Sequence, residues 1–246
     1  MNIKNTAKIK EIFSSIQGEG LFVGTNQIFI RFCACNLNCS YCDTDFYPGN
    51  INDKNTFFEF TPDELTEYLE KNYNLNTIHS ISLTGGEPLI WAEFLKEFLS
   101  KLDTKFYLET NATITDNLES TLPLISIIAG DIKLPSCSGI KNSFELHEKF
   151  FDKVSKSTGK EGLKFSKTNN NLFVKVVFDD KITDEEISKT VGLAKKYNIL
   201  LILQPRMVKD KPVINSEYML TVFNKFVTQY QDTRLIPQVH KFINVE

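Results

Sequence analysis

Cys35, Cys39 and Cys42 place three thiols within eight residues, in the spacing Cys-x3-Cys-x2-Cys. Three thiolates that close together can wrap one compact metal centre. A structural zinc site wants four closed ligands, usually as two separated pairs. Cys33 is the nearest candidate for a fourth, but a Cys-x-Cys pair on an extended strand points its side chains to opposite faces. Cys33 is therefore expected to be a small buried apolar residue. On a four-iron cluster, three thiolates leave one iron open to a small molecule. Ferredoxin-type clusters take four cysteines, so a count of three favours chemistry over electron carriage. Cys137 has no ligand partner near it and reads as structural.

The other reactive side chains stand at the ends of apolar runs. Residues 27–32 read as a strand leading straight into the cysteines, and 80–84 as a strand ending at Gly85-Gly86-Glu87-Pro88. Further strands are expected at 105–109, 124–132, 172–178, 200–203 and 233–236. Thr61-Pro62-Asp63-Glu64 is a helix start, with a capping residue, a proline in the first turn and a capping-box glutamate. Leu89, Trp91, Phe94, Leu95, Phe98, Leu99 and Leu102 fall near helical spacing and mark a packed helix, with Trp91 in the core. Helices are also expected at 142–153, 183–197 and 216–231. Alternating strands and helices imply a largely parallel sheet. About six βα units make an incomplete (β/α) barrel of the α/β class, one domain over residues 1–246. Ligands in such folds bind at the carboxyl ends of the strands. The cysteines, 85–88, Glu109-Thr110-Asn111, Asp131 with Lys133, and Gln204-Pro205 therefore converge on one rim.

Composition excludes several classes. Apolar residues are 41% of the 246, which argues for a packed globule. The 28 basic and 31 acidic residues give a net charge of −3, and the lysines at 153–167 are interrupted by Ser, Thr and Gly. Nucleic acid is not expected as a partner, since backbone binding needs concentrated positive charge. No run approaches the length of a membrane span, and Met-Asn-Ile-Lys-Asn-Thr lacks a signal peptide's apolar core. The expected location is the cytoplasm, where thiols stay reduced.

The three-cysteine spacing, with Tyr41 before the last cysteine and Gly85-Gly86-Glu87-Pro88 one strand later, resembles the radical S-adenosylmethionine superfamily. Ile16-Gln17-Gly18-Glu19-Gly20, Phe29-Ile30-Arg31-Phe32, Tyr41-Cys42-Asp43-Thr44 and Gln238-x-His240-Lys241-Phe242 together resemble the 7-carboxy-7-deazaguanine synthase family, from residue 16 to the C-terminus. That resemblance implies a radical lyase converting 6-carboxy-5,6,7,8-tetrahydropterin to 7-carboxy-7-deazaguanine with loss of ammonia, in the route to queuosine and related deazapurines. It implies a [4Fe–4S] cluster on Cys35, Cys39 and Cys42, S-adenosylmethionine, Mg²⁺, a one-electron donor such as flavodoxin or ferredoxin, and a homodimer.

The resemblance also implies residue roles. Tyr41, Cys42, Asp43, Gly86, Glu87, Asp131, Lys133, Gln204, Pro205 and Arg206 fall to the cofactor, and Thr44 to Mg²⁺ with Asp43 nearby. Asp131 departs from the Ser-Pro-Lys of many relatives, which leaves its role open. Arg31 is expected to bind the substrate carboxylate, because a guanidinium does so bidentately. Ile16, Gln17, Gly18, Glu19, Thr84, His240 and the terminal carboxylate of Glu246 are expected at the pterin, the loop offering backbone carbonyls and the Gln17 amide. Glu109 is the candidate general base. Plainer readings stand beside these: an ion pair for Arg31, a structural carboxylate for Glu109, a glycine turn for 17–20, a surface turn at Asp43-Thr44, and satisfied imidazoles at His79 and His147. Two other functions remain open at this point: an activase making a glycyl radical on a protein partner, and a non-catalytic cysteine–zinc module.

Overall fold

The computed structural model describes residues 5–42, 57–157, 171–243 and 245. Its strands are β1 (Ala7–Ile16), β2 (Asn26–Phe32), β3 (Phe58–Phe60), β4 (Ser80–Gly85), β5 (Phe106–Thr110), β6 (Ile127–Ile132), β7 (Leu172–Phe178), β8 (Leu200–Pro205), β9 (Met207–Val208), β10 (Lys211–Pro212) and β11 (Thr233–Leu235). Its helices are α1 (Pro62–Asn72), α2 (Ala92–Leu99), α3 (Leu118–Thr121), α4 (Pro135–Ser138), α5 (Ser143–Ser157), α6 (Asp184–Tyr197), α7 (Ser216–Val227) and α8 (Val239–Ile243). Asp43, Thr44 and Glu246 lie outside the described residues.

Nine strands form one open sheet in the order β11-β8-β7-β6-β5-β4-β2-β1-β3. From β2 through β11 every pairing is parallel, and each crossover carries helix, which gives the six βα units of an incomplete barrel. The helix starts are those the sequence predicts. Thr61 and Glu64 form a capping box on α1, and Thr183 and Glu186 form another on α6. The expected helix at 89–102 opens instead as a 3-10 turn, Pro88–Trp91, before α2 begins. The expected strand at 124–132 is shorter, because Pro123 sits in a 3-10 turn and pairing starts at Ile127.

β1 and β3 add an antiparallel edge that the sequence reading does not contain. A bulge between Ile9 and Glu11 explains the omission. Ala7 and Ile9 are buried on one face, but the extra residue moves the next core-packed apolar side chain to Ile12. Period-2 alternation, the signal of a half-buried strand, is broken in mid-element.

Alternation within the parallel strands sorts side chains to two destinations. Ile30, Leu83, Leu108, Ile128, Val174, Val176 and Leu203 face the helices in the main core. Tyr107, Ile127, Ala129, Phe173 and Ile202 face the lumen and pack there with Leu21 and Phe22. Those last two belong to a 3-10 turn, Gly20–Phe22, between β1 and β2, and the Phe22 ring meets Tyr107 edge-on at 5.9 Å. The lumen is thus packed at its amino end.

Gly85 ends β4 with φ +113°, and a Cβ there would lie 2.5 Å from both the N and the O of Phe32. Close backbone approach of β4 to β2 requires glycine at this point. Gly85→Ala is expected to cost about 3 kcal/mol through strain and clash, read as a lower urea midpoint at unchanged slope. An unchanged midpoint would show that the strand end can shift at little cost.

Candidate active site

At the carboxyl ends of the strands the lumen opens into a cavity of about 590 Å³. Cys35, Cys39 and Cys42 line it. The Cys35 sulfur accepts from Leu37 N–H at 3.4 Å and Asn111 Nδ2 at 3.8 Å. Burial pushes the Cys35 thiol up, and the Cys39 thiol up to about 11 against the opposing charge of Lys133. Cys33 is buried and does not line the cavity. The reason differs from simple alternation. β2 has already ended, and Ala34 adopts φ 66°, with its carbonyl accepting from Glu87 N–H.

Beside the thiols, Lys133 Nζ bonds Asp131 Oδ2 at 2.8 Å and sits 5.4 Å from the centre of the Tyr41 ring. Its backbone is fixed from behind. His147 Nε2 accepts from Lys133 N–H at 3.0 Å, His147 Nδ1 lies 3.1 Å from Ala112 O, and Ser143 Oγ donates to Lys133 O at 2.5 Å. With Nε2 accepting, the ring is neutral and Nδ1 donates. His147 is the satisfied histidine the sequence suggested, and what it satisfies is the backbone of a site lysine. Asp131 Oδ1, Gln204 Oε1 and Tyr41 OH are buried without a partner among the described residues, all three on cavity-lining residues.

Glu87 stands apart from the lining residues. It is fully buried behind Gly86 and does not line the cavity. Its carboxylate accepts from Leu89 N–H at 3.1 Å, Asn111 N–H at 2.7 Å and Thr110 Oγ1 at 2.8 Å. Glu87 ties the glycine turn to the end of β5 and holds Asn111 against Cys35. Pro205 likewise ends β8 without lining the cavity, whereas Gln204 and Arg206 on either side do. Arg206 Nη1 pairs with Asp179 at 3.4 Å.

Arg31, on the cavity wall, projects from β2 with Nε on Glu11 Oε1 at 2.5 Å and its guanidinium over Phe13. Thr84, Ile16 and His240 share this wall, with Phe13 and Phe29 stacked at 5.1 Å. The Gln17 amide is less available than its sequence suggested. Nε2 donates to Gln27 Oε1 and Glu109 Oε1, both at 3.0 Å, while Oε1 accepts from Glu19 N–H. Glu109 also accepts from Ser82 Oγ at 3.1 Å, so its partners are Gln17 and Ser82.

Sequence reasoning missed Lys175. It points from β7 into the lumen and ion-pairs with Glu19, whose other oxygen accepts from Gln238. Burial alone would raise the Glu19 pKa, but Lys175 and the Gln238 bond outweigh it and hold it at about 2. A lone lysine in the apolar run Leu-Phe-Val-Lys-Val-Val-Phe is a signal that could have found it.

The profile of the Radical SAM superfamily matches residues 29–129. The chain is 36% identical over 242 residues to a 7-carboxy-7-deazaguanine synthase of Archaeoglobus fulgidus, covering 97% of this chain and 99% of that one. The enzyme of the same name from Geobacter sulfurreducens is 33% identical over 258 residues, covering 98% of each. The chain belongs to the 7-carboxy-7-deazaguanine synthase family. The fold of QueE from Escherichia coli matches with a TM-score of 0.61 at 18% identity, over 96% of this chain and 95% of that one. The donor set fits what the family carries: three thiols on one wall suit an iron–sulfur cluster, and the unpartnered oxygens of Asp131, Gln204 and Tyr41 await polar groups of a ligand beside it.

His147 gives this wall a pH signature. Burial lowers its pKa from 6.5 to about 4, against the Ala112 bond. Between those values the unfolded chain binds more protons, so the contribution of the neutral ring is complete above pH 6.5 and lost as pH falls to 4. Glu87 runs the other way. Burial raises it from 4.5 to about 7, and stability is lost as pH rises through that window. The measurement is therefore a difference, in which Glu87 cancels. The stability advantage of the unaltered chain over His147→Gln is expected to shrink by about 3 kcal/mol between pH 6.5 and pH 4. A constant difference would show that the ring is not buried neutral.

Proposed function

We propose that this chain converts 6-carboxy-5,6,7,8-tetrahydropterin to 7-carboxy-7-deazaguanine with loss of ammonia, as a radical S-adenosylmethionine lyase. The observation that carries the reading is one cavity lined by three thiols and by an arginine from the strand that leads into them. The cofactors are a [4Fe–4S] cluster on Cys35, Cys39 and Cys42 together with S-adenosylmethionine, which when bound supply a carbon radical that takes hydrogen from the substrate. Such chemistry requires that water be kept from the radical.

Each residue role follows from the group it offers. Glu11 takes only the Nε of Arg31, so the two terminal nitrogens suit the substrate carboxylate. Thr84 and His240 add donors beside it, and the 16–19 loop faces the pterin edge with its backbone. Lys133, Asp131, Gln204, Arg206, Tyr41 and Gly86 suit the polar groups of S-adenosylmethionine. Glu109, anchored through one oxygen by Gln17 and Ser82, offers its other oxygen as proton acceptor. Mg²⁺ belongs with Thr44 and Asp43, and the Glu246 carboxylate with the pterin. Residues 1–246 are read as one catalytic domain closed by the 16–20 loop and the C-terminal tail, working in the cytoplasm as a homodimer with a flavodoxin- or ferredoxin-like electron donor. Among the described residues no helix is long and apolar enough to cross a membrane.

Anaerobically reconstituted and reduced protein, given S-adenosylmethionine and the carboxypterin, is expected to yield the deazaguanine acid by mass. Cofactor cleavage without that product would point to the activase reading, and bound zinc without cleavage to the binding module. Arg31→Ala is expected to lower kcat/KM for the pterin about 100-fold while the cluster's visible absorbance persists. Cys39→Ala is expected to abolish that absorbance. Loss of the cluster in the Arg31 variant would make Arg31 structural.

A further inference from the structure

Three charged or polar side chains from distant parts of the chain meet inside the lumen. Lys175 stands on β7, in register with Asp131 on β6 and Ile202 on β8. Glu19 comes from the loop between β1 and β2. Gln238 comes from the segment entering α8. Lys175 holds one Glu19 oxygen and Gln238 holds the other, across sequence separations of 156 and 219 residues. The lysine and glutamate side chains are 10% and 17% exposed, so neither charge has water to fall back on. A second tie lies beside the first: Val239 N–H donates to Gly18 O at 2.8 Å. His240 occupies the space that a Cβ on Gly18 would fill.

We propose that Lys175 is a positioning residue: fixed to the barrel wall, it holds Glu19 and, through Glu19, sets both the 17–20 loop and the 238–241 segment at the substrate end of the cavity. The inference rests on the reaction proposed above for its kinetic arm alone. The carboxylate of Glu19 is then a clasp rather than a substrate contact, leaving its backbone to face the pterin. Losing the lysine strands a buried carboxylate. The loop must move to hydrate it, and it draws Gln17 and the tail away together.

The test uses the full chain with its cluster. In Lys175→Met, amide exchange is expected to quicken about tenfold or more over 16–20 and 239–243. KM for the carboxypterin is expected to rise about tenfold with kcat changing less than about threefold. Iron content and cofactor cleavage without substrate should hold. Because both residues act through one link, adding Glu19→Gln to that variant should raise KM no further. Gln238→Ala, a milder change that spares the buried pair, should quicken exchange over 239–243 while leaving 16–20 protected. It keeps the proposal testable should the lysine variant fail to fold. Unchanged exchange at 239–243 in Gln238→Ala would overturn the clasp, as would a double variant whose KM effect multiplies. A fall in kcat at constant KM in Lys175→Met would overturn it too, by placing Lys175 at the reacting atoms. If the unaltered chain makes no deazaguanine acid, the proposed reaction fails, while the exchange measurements still judge the clasp.

Discussion

A charged side chain in a central strand of a helix-covered parallel sheet has one acceptable direction. The outer face is sealed by helices, so an ion there would lie in apolar surroundings at a cost of several kcal/mol. It must point into the lumen, and it must find a partner there. Arg31, Glu109, Asp131, Lys175 and Gln204 each stand in a strand of this sheet, and each lines the cavity at the strands' carboxyl ends. Toward the amino end the lumen positions turn apolar at Tyr107, Ile127 and Phe173, and Leu21 and Phe22 fill what remains. The barrel is therefore a packed core below and a polar cup above, divided along the same strands. Among the described residues, the candidate site lies in that cup.

At the cup the 17–19 loop meets the 238–240 segment, and their hold on each other is chiefly polar. Gln17 and Gly18 engage Gln27, Glu109 and Val239, while Glu19 engages Lys175 and Gln238. Small size matters as much as charge here, since any side chain at Gly18 would displace His240. Contacts of this kind can part without disturbing a barrel core, because the groups they release are polar and can be hydrated. Apolar packing would not permit that so readily.

Most of the fold was legible because its signals are local. Proline and capping residues marked α1, and β-branched runs marked the parallel strands. The antiparallel edge was not legible, since the bulge at Ile9–Glu11 erases the period that identifies a strand. At the site, the rule that strand ends converge correctly assembled the thiols, Asp131, Lys133 and Gln204. Two residues show what it does not reach. Glu87 stands in a motif of cofactor-facing residues, yet three hydrogen-bond donors turn it inward as a strut. Lys175 lies in mid-strand, away from any motif, and only the alternation of a strand sealed on one side reveals where it points. A search for single polar residues in buried strands would have found it, whereas a search for motifs could not.

The thiol wall shows why its supporting shell is so thoroughly bonded. Burial raises the Cys35 and Cys39 thiols, so loading the proposed cluster there would displace protons and leave negative charge in a secluded place. Lys133 is the cation that faces this charge, and it already opposes the rise at Cys39. A lysine left to its own flexibility would turn to solvent. Here Asp131 and the Tyr41 ring hold its ammonium, while His147 and Ser143 hold its backbone. His147 can perform that service only while neutral, because its Nε2 must accept. Burying an imidazole deeply enough to keep it unprotonated, and bonding its other nitrogen to Ala112, is what keeps a positive charge where three thiolates will need it.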